Sequence, residues 1–178
     1  MEIEARWINE DPKAIETRLV ALGATKSFDT IFQEWLFFHD EWRKDHRRVR
    51  VRADGIKTWL TYKANATWTI DSTEEVEVST SSAQDTVELL EKIGLPMRRH
   101  QEKHRISYKL GNTHIDIDFW PKIPMVLEIE GPSEAEIKES ARLLGLDWDK
   151  AIFEDQLVLH KKYYDIDLFE VTEYVFDK

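Results

Sequence analysis

Pairs of acidic residues recur along this chain, with a single, mostly apolar residue between the two members of each pair. If each pair lies in a β-strand, both of its carboxylates point to the same face of the sheet. Clustered carboxylates repel one another and favour a hard divalent cation with oxygen ligands, such as Mg²⁺ or Mn²⁺. The pairs are Glu2 and Glu4, Glu75 and Glu77, Asp116 and Asp118, and Glu128 and Glu130.

Basic residues follow the same spacing on other segments. Arginine offers paired donors to phosphate oxygens, and lysine offers a compact positive charge. Sites of phosphoryl or nucleotidyl transfer typically combine a divalent metal with basic side chains that bind the phosphates. The basic set consists of Arg48, Arg50, Arg52, Lys63, Lys103 and Arg105.

The residues that alternate with these charges are mostly apolar and β-branched, which predicts strands. An open antiparallel sheet with one solvated face would explain the alternation, but such a face usually mixes in Thr, Ser and Gln. About eight strands is also the number that closes into a small barrel. We therefore predict an α+β fold, in which a closed antiparallel eight-stranded β-barrel, or tunnel, has a charged lumen and helices packed outside.

Helix signals separate the predicted strands. Asp11 begins a first helix as its N-cap, and Gly23 ends it. Ser81-Ser82 and Asp85 begin a second helix with apolar residues at helical spacing, and Gly131-Pro132-Ser133 cap a third. A last helical region is predicted from about residue 150 to residue 164.

Composition restricts the class of protein. The 178 residues are 42% hydrophobic, which is enough for one globular domain over residues 1–178. A net charge of -10 argues against a general nucleic-acid binder. The lack of cysteine excludes disulfides and fits a reducing compartment. With no apolar leader and no run of ~18–20 apolar residues, we expect a cytoplasmic protein without a membrane or stable nucleic-acid partner.

The N-terminal residues Glu2-Ile3-Glu4-Ala5-Arg6 resemble the E-x-E-x-K signature of the CYTH superfamily, also called triphosphate tunnel metalloenzymes. This superfamily includes class IV adenylyl cyclases, thiamine triphosphatases, inorganic triphosphatases and RNA triphosphatases. Each motif alone is weak, but together and in order they cover essentially the whole chain. The further motifs are Arg48-Val49-Arg50-Val51-Arg52, Leu60-Thr61-Tyr62-Lys63, Glu75-Val76-Glu77, Lys103-His104-Arg105, Asp116-Ile117-Asp118 and Leu127-Glu128-Ile129-Glu130-Gly131.

One residue and one segment depart from the superfamily pattern. Arg6 stands where the superfamily usually has lysine, which keeps the charge but changes its geometry. The segment from Phe153 to Leu157 lacks the Ser-Tyr pair that many members have before their last helix.

The resemblance implies a role for each charged set. Metal ligation falls to Glu2, Glu4, Glu128 and Glu130. Phosphate binding falls to the basic set of Arg48, Arg50, Arg52, Lys63, Lys103 and Arg105. The predicted catalytic residues are Arg6, Glu75, Glu77, Asp116 and Asp118, and the choice between the two aspartates stays open.

The resemblance also implies an activity. We expect the protein to be an Mg²⁺- or Mn²⁺-dependent phosphohydrolase. Its expected reaction is cleavage of the terminal phosphate of inorganic tripolyphosphate, thiamine triphosphate or a nucleoside triphosphate. One alternative is a class IV adenylyl cyclase, which forms cyclic AMP and pyrophosphate from ATP. A second alternative is a non-catalytic module that binds triphosphate or polyphosphate. Aromatic residues in the long predicted strands are compatible with a homodimer.

Overall fold

The structure is a computed structural model that describes residues 3–65 and 73–177. These residues form an α+β fold with a large, mostly antiparallel sheet of nine strands and four α-helices. The strand order is β1-β8-β7-β6-β2-β3-β4-β5, and β9 pairs with β6 in parallel. Within the described residues this order does not return from β5 to β1. The closed eight-stranded barrel is therefore not confirmed, whereas the α+β class and the large antiparallel sheet are.

The chain divides into two compact units, each made of two segments. The first unit comprises residues 1–30 and 104–154, and the second comprises residues 31–103 and 155–178. Strands β2 (Thr25–Phe37) and β6 (Met97–Leu110) contribute residues to both units. The single domain over residues 1–178 stays a prediction.

The first unit contains three further strands and two helices. The strands are β1 (Ile3–Ile8), β7 (Thr113–Phe119) and β8 (Val126–Gly131), and the helices are α1 (Pro12–Ala21) and α3 (Glu134–Leu143). One face of the strands buries aliphatic side chains against both helices, and Ile115, Ile117 and Ile129 are fully buried in this core. Because side chains alternate along a strand, the charged residues of these strands lie on the opposite face.

The second unit contains the remaining elements. Its strands are β3 (Arg48–Ala53), β4 (Thr58–Asn65), β5 (Thr73–Thr80) and the short β9 (Glu173–Tyr174), and its helices are α2 (Ala83–Lys92) and α4 (Gln156–Tyr164). A smaller core of Phe37, Val51 and Leu90 lies on the apolar face of these strands. The charged residues of β3 again occupy the opposite parity.

Helix starts follow the predicted caps. The Asp11 carboxylate accepts a hydrogen bond from the backbone N–H of Lys13, and the Ser82 and Ser133 hydroxyls accept from backbone N–H groups three residues later. Gly23 adopts a φ of 75°, in the left-handed region that favours glycine at a helix end.

The last helix begins later than the sequence predicts. A helical region was expected from about residue 150, but α4 begins at Gln156. The Asp155 carboxylate accepts from the backbone N–H groups of Leu157 and Val158 and so fixes the start. Before it, the backbone of Ile152 exchanges two hydrogen bonds with Arg6, which holds this segment extended.

Candidate functional site

One charged face lies in the first unit and is called the acidic face here. Strand β1 pairs with β8 so that Glu4 is opposite Glu130 and Arg6 is opposite Glu128. Strand β7 places Asp116 opposite Glu128, and β6 places Arg105 opposite Asp118. The acidic face thus brings together five described carboxylates and two arginines: Glu4, Asp116, Asp118, Glu128, Glu130, Arg6 and Arg105.

Arg6 is buried, and its guanidinium makes three different contacts. Its Nε donates to Glu128 Oε2 at 2.8 Å, and one Nη lies 2.6 Å from Glu4 Oε1. The other Nη donates to the backbone carbonyl of Glu154 at 2.8 Å. The arginine at this position therefore links two of the predicted metal ligands to the segment before α4. A lysine ammonium offers no comparable planar fork.

Arg105 pairs with carboxylates in this unit. Its Nε and one Nη each donate to Asp118 at 2.6 Å, and that Nη also lies 3.3 Å from Glu128. The other Nη pairs with Asp116. Burial alone lowers the pKa of Arg105, but the neighbouring carboxylates, Asp118 first, outweigh burial and raise it well above its usual value. Arg105 was predicted to bind phosphate, and the contacts seen here are those of a counter-ion for the acidic face.

The two aspartates of β7 differ in their partners. Asp118 is fully buried and receives two parallel hydrogen bonds from Arg105. Asp116 is 6% exposed, and its Oδ1 has no hydrogen-bond partner within the described part of the chain. Burial raises the pKa of Asp116; the Arg105 charge opposes this, and the negative charges of Asp118 and Glu128 add to it, so that the pKa is raised overall. Both aspartates thus pair with Arg105, but Asp116 keeps one buried oxygen without a hydrogen-bond partner among the described residues.

The acidic face has the oxygen donors that a hard divalent cation prefers. Glu4 and Glu130 are neighbours across the strand pair, and Asp116 contributes the unused oxygen. Glu2, the remaining predicted ligand, lies outside the described residues. Over residues 3–65 and 73–177, no three acidic or histidine side chains converge on a common point. The oxygen donors are of the type that a hard cation prefers, but in this structure Arg6 and Arg105 pair with several of them.

The second unit carries the other charged face, called the basic face here. Strand β3 pairs with β2 and β4 so that Arg52 lies opposite Glu34 and Arg48 lies opposite Lys63. Strand β5 places Glu77 opposite Thr61 and Glu75 opposite Lys63. The described charged residues of this face are the cations Arg48, Arg50, Arg52, Lys63, Arg99 and Lys103 and the carboxylates Glu34, Glu75 and Glu77.

The arginines of β3 differ in their surroundings. Arg52 Nε donates to Glu34 at 2.6 Å, and its guanidinium lies 4.7 Å from the centroid of the Phe32 ring. Arg50 lies 3.6 Å from Glu34 and 4.0 Å from Glu77. Burial, and then repulsion from Arg52, lower the pKa of the Arg50 guanidinium to about 9. Cations held this close without full compensation form a site that an anion stabilises.

Lys63 lies at the other end of this row. Its ammonium contacts Glu75 at 2.7 Å, and burial followed by repulsion from Arg50 lowers the pKa of Lys63. Glu77 accepts a hydrogen bond from the Thr61 hydroxyl at 2.8 Å. Glu75 and Glu77, which were predicted to be catalytic together with Asp116 and Asp118, therefore belong to the second unit and pair there with basic and hydroxyl groups.

Arg48 lies close to the start of α4. Its guanidinium donates to the backbone carbonyl of His46 at 3.1 Å, and the His46 ring lies 3.5 Å from the Asp155 carboxylate. Burial opposes ionisation of Asp155, but its contacts with His46 and Arg48 lower its pKa to about 2. The N-cap of α4 is thus tied electrostatically to the basic face.

Glu34, Arg99 and Gln101 were not predicted from the sequence. Glu34 lies in the aromatic run of β2 and shares its parity with Phe32 and Leu36, so no alternation of charged and apolar residues revealed it. The available signal was a single carboxylate within an apolar strand, since such residues are rarely buried without a partner.

The comparisons with known proteins agree with this architecture. The family model described as CYTH domain matches residues 1–154. The chain therefore belongs to the CYTH family. No curated protein matches the chain. In the described residues, no helix is both long and apolar enough to cross a membrane.

Solved structures share the fold at low sequence identity. The PH1012 protein from Pyrococcus horikoshii OT3 is 23% identical, with a TM-score of 0.75 over 87% of this chain and 96% of that one. A Vibrio parahaemolyticus protein considered an adenylate cyclase is 13% identical, with a TM-score of 0.74 over 87% of this chain and 94% of that one. HpAC1 from Hippeastrum, an adenylyl cyclase candidate described as having a dominant triphosphatase activity, is 14% identical, with a TM-score of 0.65 over 91% and 96% of the two chains.

Proposed function

We propose that this protein is a divalent-cation-dependent phosphohydrolase that cleaves the terminal phosphate of a triphosphorylated substrate. The observation that carries the proposal is the division of charge in a member of the CYTH family. The acidic face has an excess of carboxylates, and the basic face has an excess of cations. A divalent cation and a polyanion are the two ligands that such faces bind.

The acidic face is assigned to the cation. Glu4, Glu128 and Glu130, together with Glu2, are the proposed ligands for Mg²⁺ or Mn²⁺. Such a cation neutralises phosphoryl oxygens and makes water a better nucleophile near neutral pH. The contacts of Arg6 with Glu4 and Glu128 orient these carboxylates, so Arg6 is proposed as a positioning residue.

The aspartates of β7 are assigned different roles. Asp116 has the raised pKa and the unused oxygen, which suit a group that orients or deprotonates a water. Asp118 is bound on both oxygens by Arg105 and holds that arginine in place. For this role we therefore propose Asp116 rather than Asp118.

The basic face is assigned to the phosphates. Arg50 and Arg52 are the proposed main phosphate ligands, because each retains N–H groups beyond its contact with Glu34. Lys63 and Lys103 add charge, and Arg48 extends the row. Hydrogen-bond donors that are fixed before the reaction stabilise the charge that develops on the phosphoryl oxygens. Glu75 and Glu77 hold this row, through Lys63 and Thr61 respectively.

Adenylyl cyclase activity is the second candidate function. It is supported by the structural likeness to the adenylate cyclase candidate of Vibrio parahaemolyticus. In that reaction the ribose hydroxyl attacks the α-phosphorus of ATP, and the same two charged faces would be used. We place hydrolysis first because HpAC1, a similar candidate, is described as predominantly a triphosphatase.

Product analysis separates these functions. The purified protein is incubated with Mg²⁺ or Mn²⁺ and, in turn, with tripolyphosphate, thiamine triphosphate and ATP. Orthophosphate release from at least one of them is the expected result. Pyrophosphate together with cyclic AMP from ATP would establish the cyclase instead. Binding of all three without turnover would establish a non-catalytic module.

A further inference from the structure

Glu34 is a buried carboxylate at the centre of the basic face. It lies in β2 directly opposite Arg52 of β3, and it is 1% exposed. Removing a lone carboxylate from water costs several kcal/mol or more unless cations and hydrogen bonds compensate it. The contacts of Glu34 therefore indicate its role in the basic face.

Both carboxylate oxygens of Glu34 are engaged. Oε1 accepts from Arg52 Nε at 2.6 Å and lies 3.6 Å from Arg50. Oε2 accepts from the Gln101 side-chain amide. Burial alone raises the pKa of Glu34, but the surrounding cations, Arg52 first, outweigh it and hold the pKa well below its usual range. The group is therefore ionised at neutral pH.

A chain of contacts keeps Glu34 in this position. The side-chain oxygen of Gln101, Oε1, accepts a hydrogen bond from Arg99 Nε at 2.6 Å. Arg99 also donates to the backbone carbonyl of Leu168. Glu34 is thus fixed by β6 on one side and pairs with the arginines of β3 on the other. The contact with Arg52 uses its Nε, so within the described residues both of its Nη groups remain available for other acceptors.

We propose that Glu34 is the positioning residue of the phosphate clamp, which holds Arg50 and Arg52 with their outer N–H groups directed for a triphosphate. This inference rests on the proposed function. Glu34 does not touch the phosphates; it acts through the two arginines. The negative charge of Glu34 also reduces the repulsion between Arg50 and Arg52. Without it, the two guanidinium groups would move apart in the absence of substrate.

A positioning role and a simple charge effect predict opposite results. Neutralising Glu34 makes the basic face more positive, so a charge effect alone strengthens the binding of a polyanion. Loss of positioning weakens it, because the arginines must then be ordered by the substrate itself. The sign of the change in KM therefore distinguishes the two.

The experiment measures steady-state hydrolysis of tripolyphosphate by the full chain and by three variants. Glu34→Gln preserves shape and removes the charge, and its KM is expected to rise about tenfold with kcat within about threefold of wild type. Glu34→Asp retains the charge on a shorter side chain, and its KM is expected to rise about threefold. Glu102→Gln is the matched control in the same unit, since Glu102 contacts Gln33 and the backbone of Phe176, and its KM should not change.

Each outcome decides the inference. A KM that is unchanged or lower in both Glu34 variants, with wild-type activity present, overturns the positioning role and leaves the proposed function standing. A fall in kcat alone also overturns it, because that pattern indicates damage to the reacting geometry. If Glu34→Gln does not fold, the comparison of Glu34→Asp with wild type decides. A wild-type protein that cleaves none of tripolyphosphate, thiamine triphosphate and ATP overturns the proposed function and this inference with it.

Discussion

The acidic and basic faces follow the same construction with opposite sign. Each uses one parity of paired strands for charge and the other parity for an apolar core. The acidic face sets five described carboxylates against Arg6 and Arg105, and the basic face sets six described cations against three carboxylates. Arg6 and Arg105 pair with the carboxylates of the acidic face, and the buried Glu34 pairs with Arg52 on the basic face. The remaining excess charge is what a ligand of opposite sign would neutralise.

The largest expected effect is on the acidic face. Glu4→Gln and Glu130→Gln each preserve side-chain shape but remove one negative charge from the proposed cation site. Metal-dependent turnover should fall by about 100- to 1000-fold, as for the loss of one preorganised electrostatic contact. Initial rates at saturating Mn²⁺ measure this, with circular dichroism to confirm the fold. Glu134→Gln, on the exposed surface of α3, is the control, and near wild-type rates in both site variants would contradict the assignment.

The apolar sides of the two units should also differ in their sensitivity. Ile129 is fully buried in the core of the first unit, whereas Val78 on β5 is 52% exposed. Ile129→Ala removes buried methyl groups and leaves a cavity, so it should lower the free energy of unfolding by about 3 kcal/mol. Val78→Ala should change it by less than about 0.5 kcal/mol. Urea unfolding of both variants measures the difference, and similar losses would show that β5 is covered by a partner.

The contributions of His160 and Asp116 to stability should respond to pH with opposite sign. Burial lowers the pKa of His160 in the second unit to about 4. Between pH 6.5 and 4 the unfolded chain therefore binds a proton that the folded protein does not, and stability falls as pH falls. The loss is about 3 kcal/mol across this window. The raised pKa of Asp116 in the first unit has the reverse effect, since its ionisation above pH 3.8 opposes folding.

The slope of unfolding free energy against pH tests this sign. His160→Gln should remove most of the loss between pH 6.5 and 4, whatever its effect on stability at pH 7. An unchanged slope in His160→Gln would contradict the burial of a neutral histidine.

The smallest expected effect is on substrate binding by the basic face. Arg52→Ala removes a charged donor pair, and the loss of such a contact costs about 1.5–3 kcal/mol. The Kd for tripolyphosphate should therefore rise by roughly 10- to 150-fold. The Kd for orthophosphate should rise by less than about threefold, because one phosphate can use the neighbouring arginine. Calorimetry with both ligands measures the ratio, and equal losses would count against a clamp for several phosphates.

Local sequence patterns predicted much of this architecture. Asp11, Ser82 and Ser133 cap helices near the predicted starts, because a cap depends on residues only two or three positions apart. The parity of the acidic and basic pairs also predicted that each shares a face with its strand neighbours. Family membership agrees with the motifs that carried the resemblance.

The partners of individual charges were not predictable in the same way. Arg105 was grouped with the phosphate-binding residues because it follows Lys103 at the same parity. Its partners Asp118 and Glu128 come from β7 and β8, so the contact depends on strand order and register. The role of Glu34 was not predictable because its partners Arg52 and Gln101 lie on β3 and β6, far from it in sequence. Strand parity is a local property, whereas ion pairing depends on which strands become neighbours.

The separate roles of the acidic and basic faces can be tested most directly by measuring the binding of each ligand in the absence of the other. Mn²⁺ binding followed by electron paramagnetic resonance, with no triphosphate present, should weaken at least about tenfold in Glu130→Gln and stay unchanged in Arg52→Ala. Metal-free tripolyphosphate binding followed by calorimetry should show the reverse pattern. If Glu130→Gln leaves Mn²⁺ binding intact, or if both variants weaken both ligands equally, the acidic and basic faces do not have the separate roles assigned to them here.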